Sequence, residues 1–222
     1  MSDLIKQMRA FADHCGCPAR RVFDDLFALL YNYICTGKQE YNKLYPAVFY
    51  DPQTVQAVEG YREEERDQLM ELLLVLRAEL DDAAPFEDVV SDKYGALLPG
   101  DLGQFMTPTA VSTAVSRFLG AAEPSATKRT EPTCGTGALV MGDLRNSYAV
   151  AGRDGISRID YAINDLDPRL VRIATVQVMY HSIRHEAPLK RLTAYNADLI
   201  KNYDSTSPFF VANSWRAALP FS

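Results

Sequence analysis

The sequence predicts an α/β fold, a sheet with parallel strands behind an all-helical N-terminal region. Two observations carry this. Apolar residues up to about residue 95 recur at three- and four-residue steps, the period of a helix face. From about Phe86 the spacing changes. Gly100, Gly103, Pro108, Gly120, Pro124, Pro132, Gly135 and Gly137 punctuate the chain, and short extended segments alternate with helical ones. Strands that alternate with helices point to a sheet with parallel strands. The expected boundary divides a helical region, 1–95, from an α/β region, 96–222.

In the first region, the segment from Cys17 to Gly37 opens with Pro18 in its first turn. Val22, Leu26, Phe27, Leu29, Leu30, Tyr33 and Ile34 form its apolar stripe, and Gly37 is the stop. Residues 54–60 read as a short helix. From Arg62 to about Ala83 a charged start leads into Leu69, Leu72, Leu73, Leu76 and Leu80 on one face. In the second region the expected order is helix 108–119, strand 127–131, helix 137–150, strand 158–164, helix 168–183, then strands 190–195 and 207–212. In the first of these helices Thr107 is the expected N-cap and Pro108 suits the first turn. Val111, Val115 and Phe118 would form the buried stripe. The strand Thr127-Lys128-Arg129-Thr130 is poor in apolar residues for a buried central position.

The 222 residues are 47% hydrophobic and 23% charged, an ordinary composition for a soluble globular chain. The N-terminus has no apolar core of the kind a targeting segment carries, and no run is long enough to span a membrane. A cytoplasmic chain is therefore expected. With 23 basic and 29 acidic residues the net charge is −6, low for a chain that grips DNA alone. The four cysteines fit neither a zinc ribbon nor a disulfide framework. Cys15-Gly16-Cys17 after His14 reads as a helix-boundary turn rather than a metal corner. His181 and His185, four apart on a helix, would need further ligands to hold zinc. No metal site is expected.

Three segments carry chemistry. In Glu131-Pro132-Thr133-Cys134-Gly135-Thr136-Gly137 a strand runs into a glycine turn and then a helix, which offers free N–H groups to a ligand. A dinucleotide fingerprint would place a third glycine where Val140 stands, which disfavours a dehydrogenase. In Asn164-Asp165-Leu166-Asp167-Pro168 a strand ends in acids. Asp165 is placed to accept ribose hydroxyls, and Asp167 to cap the following helix. In Asn196-Ala197-Asp198-Leu199 an acid ends the next strand. It is either an acceptor for an adenine amino group or a turn residue.

In order and spacing, GQFMTP (Gly103 to Pro108), EPTCGTGAL, NDLDP and NADL resemble the N6-adenine DNA methyltransferases, and most of all the modification subunits of type I restriction systems. Phe86-Glu87-Asp88-Val89-Val90 through Tyr94 also resembles the segment that leads into the first motif there. The likeness covers roughly residues 86 to 213. It implies an incomplete Rossmann-like methyltransferase sheet with S-adenosylmethionine as methyl donor. By that resemblance, Phe105, Thr107 and Pro108 line the methionine side. Glu131, Cys134, Gly135, Thr136 and Gly137 wrap the methionine and sugar, Asp165 holds the ribose, and Asp198 holds the adenine. DNA would be the substrate. A specificity subunit or another methyltransferase subunit, or self-association through the sheet edge, would complete the assembly.

The catalytic motif of the family, Asn-Pro-Pro and then Tyr or Phe, departs here to Asn213-Ser214-Trp215-Arg216. Asn213 could accept a hydrogen bond from the target amine and Trp215 could stack on a flipped base. The loss of both prolines removes the fixed φ angles of the loop. Asn213 is therefore either the catalytic asparagine or a strand-end turn residue. Only six residues follow Arg216, where the family continues into further strands, so the fourth strand is expected at an open edge. Two functions remain: a DNA adenine-N6 methyltransferase or its catalytic fragment, and a non-catalytic accessory relative in restriction-modification or anti-restriction.

Overall fold

The computed structural model describes residues 3–36, 47–50, 58, 60–98, 106–119, 128–201 and 207–214, with side chains left out at 35, 36, 47–50 and 119. Two N-terminal helices come first, α1 (Asp3–Cys15) and α2 (Ala19–Thr36). In α1 Leu4, Ile5, Met8, Phe11 and Ala12 make one buried stripe. The helix stops at Gly16, whose φ of +66° is the left-handed turn that glycine adopts without strain. The Cys15–Cys17 segment is thus a helix-boundary turn. In α2, Val22, Leu26, Phe27, Leu30 and Ile34 are buried, but Tyr33 is exposed. Its ring instead lies under the Arg77 guanidinium, 5.9 Å from the centroid.

The N-terminal region is not all helical. Strand β1 (Ala47–Tyr50) joins the sheet. The helix expected at 54–60 falls largely outside the described residues, and Val58 and Gly60 lie in a bend and a turn. Helix α3 (Glu63–Asp82) opens with Glu65 accepting the Arg62 N–H at 2.7 Å and buries Leu69, Leu72, Leu76 and Leu80. Short α4 (Ser91–Leu97) is capped by the Asp88 carboxylate, which accepts both Val90 and Ser91 N–H at 3.0 Å.

The α/β part follows as α5 (Thr109–Leu119), β2 (Lys128–Glu131), α6 (Ala138–Ile156), β3 (Asp160–Asn164), α7 (Pro168–Arg184), β4 (Arg191–Tyr195) and β5 (Phe210–Asn213). The sheet order is β1-β5-β4-β3-β2. β2, β3 and β4 are parallel, and β5 runs antiparallel to both β4 and β1. The sheet is therefore mixed, and the expectation of parallel strands fails at β5. Its edge is not open, because β1 pairs along it. β2 pairs on one side only among the described residues, which accounts for its polar sequence: a strand at an edge need not be apolar on both faces.

Two expectations about α5 are corrected. Its first N–H, at Thr109, is taken by the Asp92 carboxylate at 3.1 Å, and the Pro108 carbonyl accepts the first helical bonds, so Thr107 is not the cap. Val111, Val115 and Phe118 are exposed at 48, 38 and 91%. The buried side carries Ser112 and Ser116. A Cβ on Gly142 of α6 would lie only 2.7 Å from Ser116 Oγ and 3.0 Å from the Ser112 carbonyl. The two helices approach too closely at Gly142 for large side chains between them.

One hydrophobic core runs from α1 to β5 across the boundary expected near residue 95. Tyr31 of α2 meets Phe209 and Phe210 at 6.2 and 6.1 Å, and Tyr180 of α7 donates to Asp81 of α3 at 2.7 Å. No helix among the described residues is long and apolar enough to cross a membrane.

Candidate functional site

The three parallel strands end on one rim. Glu131 lies beside Ile163, and Asn164 beside Tyr195, so the glycine turn, the acid loop and the 196–198 loop leave the sheet together. Asn164 ties them. Buried at the end of β3, it donates through Nδ2 to the Pro132 carbonyl at 2.9 Å and the Ala197 carbonyl at 3.1 Å. Its Oδ1 accepts the Ala197 N–H at 3.0 Å. Asn196 adds donors to the Asp165 and Leu166 carbonyls at 2.8 and 3.0 Å.

Asp165 sits at the centre of the rim. One oxygen accepts the Gly135 N–H at 2.8 Å and the other the Asp167 N–H at 2.9 Å. Each oxygen keeps a further lone pair for a ligand hydroxyl. Asp167 caps α7 by accepting the Arg169 N–H at 2.9 Å. Burial alone would raise its carboxyl, but the hydrogen bonds from Arg169 hold it below the usual range.

The glycine turn is built for close approach. Gly135 and Gly137 have φ of +54° and +101°. A Cβ at Gly137 would stand 3.2 Å from the Ala174 Cβ, so this glycine also lets α6 meet α7. Gln177 of α7, fully buried, donates to the Thr136 carbonyl at 2.8 Å. The Thr136 hydroxyl bonds with Ser91 Oγ at 2.7 Å and reaches the Met106 sulfur at 3.8 Å. Glu131 accepts the Thr133 N–H at 3.2 Å. Burial pushes the Cys134 thiol well above its ordinary range, which favours the neutral form.

Asp198 stands on the same rim, but its carboxylate accepts the Ile200 N–H at 3.1 Å and pairs with Lys201 at 3.2 Å. The Lys201 hydrogen bond holds its pKa below the ordinary value. Leu166, directly after Asp165, and Ile200, two residues after Asp198, are not singled out by the sequence and are 69 and 93% exposed. Each is an apolar surface next to the acids. Position in the loop, rather than any motif, reveals them. Thr107 is half-buried and Pro108 exposed at the start of α5, while Phe105 lies outside the described residues.

Asn213 is not brought to this rim. It pairs with Arg191, the first residue of β4, and accepts the Arg191 Nε–H at 2.8 Å. The rim is at the other end of β4, four residues on and about 13 Å away. The antiparallel course of β5 is the reason: its C-terminal end lies where the parallel strands begin. Trp215 lies outside the described residues. His181 of α7 and His185, the residue that ends that helix, stack at 5.6 Å, and His181 Nδ1 accepts the Phe86 N–H at 3.1 Å. No group of three metal-ligating side chains occurs among the described residues.

Fold and rim define a mixed α/β chain with an open sheet and a glycine turn, an acid loop and a third loop gathered at one end of its parallel strands. No family model, curated protein or solved structure matches the chain.

Proposed function

We propose that this chain binds S-adenosylmethionine at the rim and belongs with the DNA adenine-N6 methyltransferases that its motifs resemble. The observation that carries the proposal is the Asp165 carboxylate, fixed against the Gly135 amide with lone pairs left for two ribose hydroxyls. Around it, Glu131 and the turn 134–137 would take the methionine and sugar. Leu166 and Ile200 supply exposed apolar surface for an adenine ring beside Asp198. The group fits on the chemistry of these donors and acceptors. When bound, it supplies an electrophilic methyl group.

The position of Asn213 favours a second reading for the chain acting alone, that of a non-catalytic relative working with another subunit. An adenine amine held at Asn213 would be about 13 Å from the rim, too far for a direct attack that needs roughly 3 Å. The net charge of −6 agrees with DNA contacts made chiefly by a partner. Tritiated S-adenosylmethionine and unmethylated DNA test this. The expected result is no transfer by the purified chain alone. Transfer abolished by Asn213→Ala would show that Asn213 reaches the cofactor.

A further inference from the structure

We infer that the N-terminal helices form part of the rim site, with Arg20 and Ser91 as positioning residues, one for each loop that faces the cofactor. The inference rests on reading the rim as a nucleoside-cofactor site. Arg20, in the first turn of α2, reaches 147 residues along the chain to Asp167, with Nη2 3.4 Å from Oδ2. Its Nε donates to the Tyr94 hydroxyl of α4 at 2.9 Å, and the guanidinium lies 5.4 Å from the centroid of that ring. Both members of the Arg20–Asp167 pair are 13% exposed at the side chain, so water screens them less than it does a surface pair.

Asp24, one turn after Arg20, lies 3.8 Å from both Arg20 and Arg169. Two cations from α2 and α7 thus interleave with two acids from the same helices. Asp167 in turn gives its N–H to Asp165. A chain of contacts therefore runs from α2 to the carboxylate that would meet the ribose. Arg169 holds Asp167 more closely, at 2.7 Å, but it comes from the same helix terminus and moves with the loop. Arg20 ties Asp167 directly to α2, where Asn196 and Gly135 tie the same loop to its neighbours on the rim.

Ser91 does the same for the glycine turn. It is fully buried at the start of α4, and its hydroxyl meets that of Thr136 at 2.7 Å. Thr136 lies between the two positive-φ glycines. Asn164 ties the glycine turn to the 196–198 loop from the end of β3, and Ser91 and Arg20 tie the glycine turn and the acid loop to the helical region.

Amide exchange by NMR tests this in the full chain carrying Arg20→Met, Arg20→Lys or Ser91→Ala, beside calorimetric binding of S-adenosylmethionine. Arg20→Met is expected to speed exchange of the Asp167 amide about tenfold, and Ser91→Ala that of the Gly137 amide. Amides in the middle of α7 should stay unchanged. Affinity should fall roughly fivefold or more in each, with Arg20→Lys in between and serving as the variant should Arg20→Met not fold. Uniform acceleration of all amides would mean a merely structural role and overturn the inference. So would unchanged exchange at both reporters, or local acceleration with unaltered affinity. Local acceleration in a chain that does not bind S-adenosylmethionine even unmodified would instead overturn the cofactor reading and leave the two anchors standing.

Discussion

His181 makes stability depend on pH in a way that tests whether the N-terminal region and the α/β part are one body. Its ring is fully buried on α7, with Nδ1 accepting the Phe86 N–H from the turn after α3. Burial, and then the neighbouring His185, push its pKa down to about 3. In the unfolded chain it titrates near 6.5. Between these values the unfolded state holds the extra proton, so stability is fully present above pH ~6.5 and is lost as pH falls towards the folded value. From pH 7.5 to 5.0 the loss from this residue alone is about 2 kcal/mol. His181→Leu removes the titration but leaves the Phe86 N–H without its acceptor, which costs about 1–3 kcal/mol at any pH. The variant should therefore be less stable at pH 7.5, and its deficit should shrink by about 2 kcal/mol at pH 5.0. Urea unfolding followed by circular dichroism at both pH values reads this directly. An equal pH slope in both proteins would refute the buried neutral histidine, and with it the contact between α7 and the Phe86 turn.

Gly137→Ala should cost about 2–4 kcal/mol, from the positive φ and the approach of Ala174, whereas Gly135→Ala, with no neighbour closer than 4.0 Å, should cost about 1–2 kcal/mol; thermal unfolding compares them. Asn164→Ala breaks the three bonds that this side chain makes to the rim loops and should destabilise by about 2–4 kcal/mol in urea, because it leaves both backbone groups of buried Ala197 unpaired. Phe118→Ser should change stability by no more than ~0.5 kcal/mol; a large loss would restore the buried stripe that the sequence predicts.

Much of the fold was legible because periodicity and punctuation are local. The four strands expected in the α/β region, and the helix starts between them, stand within a few residues of where their patterns place them, although α6 runs on past the expected end at residue 150 to Ile156. What failed was what depends on partners. The apolar stripe of α5 faces outward because Gly142 and two serines allow a close helix contact, and helical period alone does not say which face that contact uses. β1 is a run of only four residues, Ala47–Tyr50, inside a region read as helical, and it is defined by its pairing with β5. The direction of β5 lies in the connection from β4, so the end of the sheet that receives Asn213 could not be read from the strand itself. On the rim, residues at strand ends were readable from glycines and acids. Asn164, which ties the loops, reads in sequence as the last residue of a strand, and its side-chain bonds go to backbone far along the chain.

Calorimetric titration of S-adenosylmethionine into the full chain, beside Asp165→Asn, tests the central claim most directly. Asparagine keeps one acceptor oxygen and similar volume, so it disturbs the Gly135 and Asp167 amides less than alanine would. Micromolar binding by the unmodified chain, weakened about tenfold or more in the variant, is the predicted result. No binding by the unmodified chain, or equal binding by both, would contradict the assignment of the rim as the site for this cofactor.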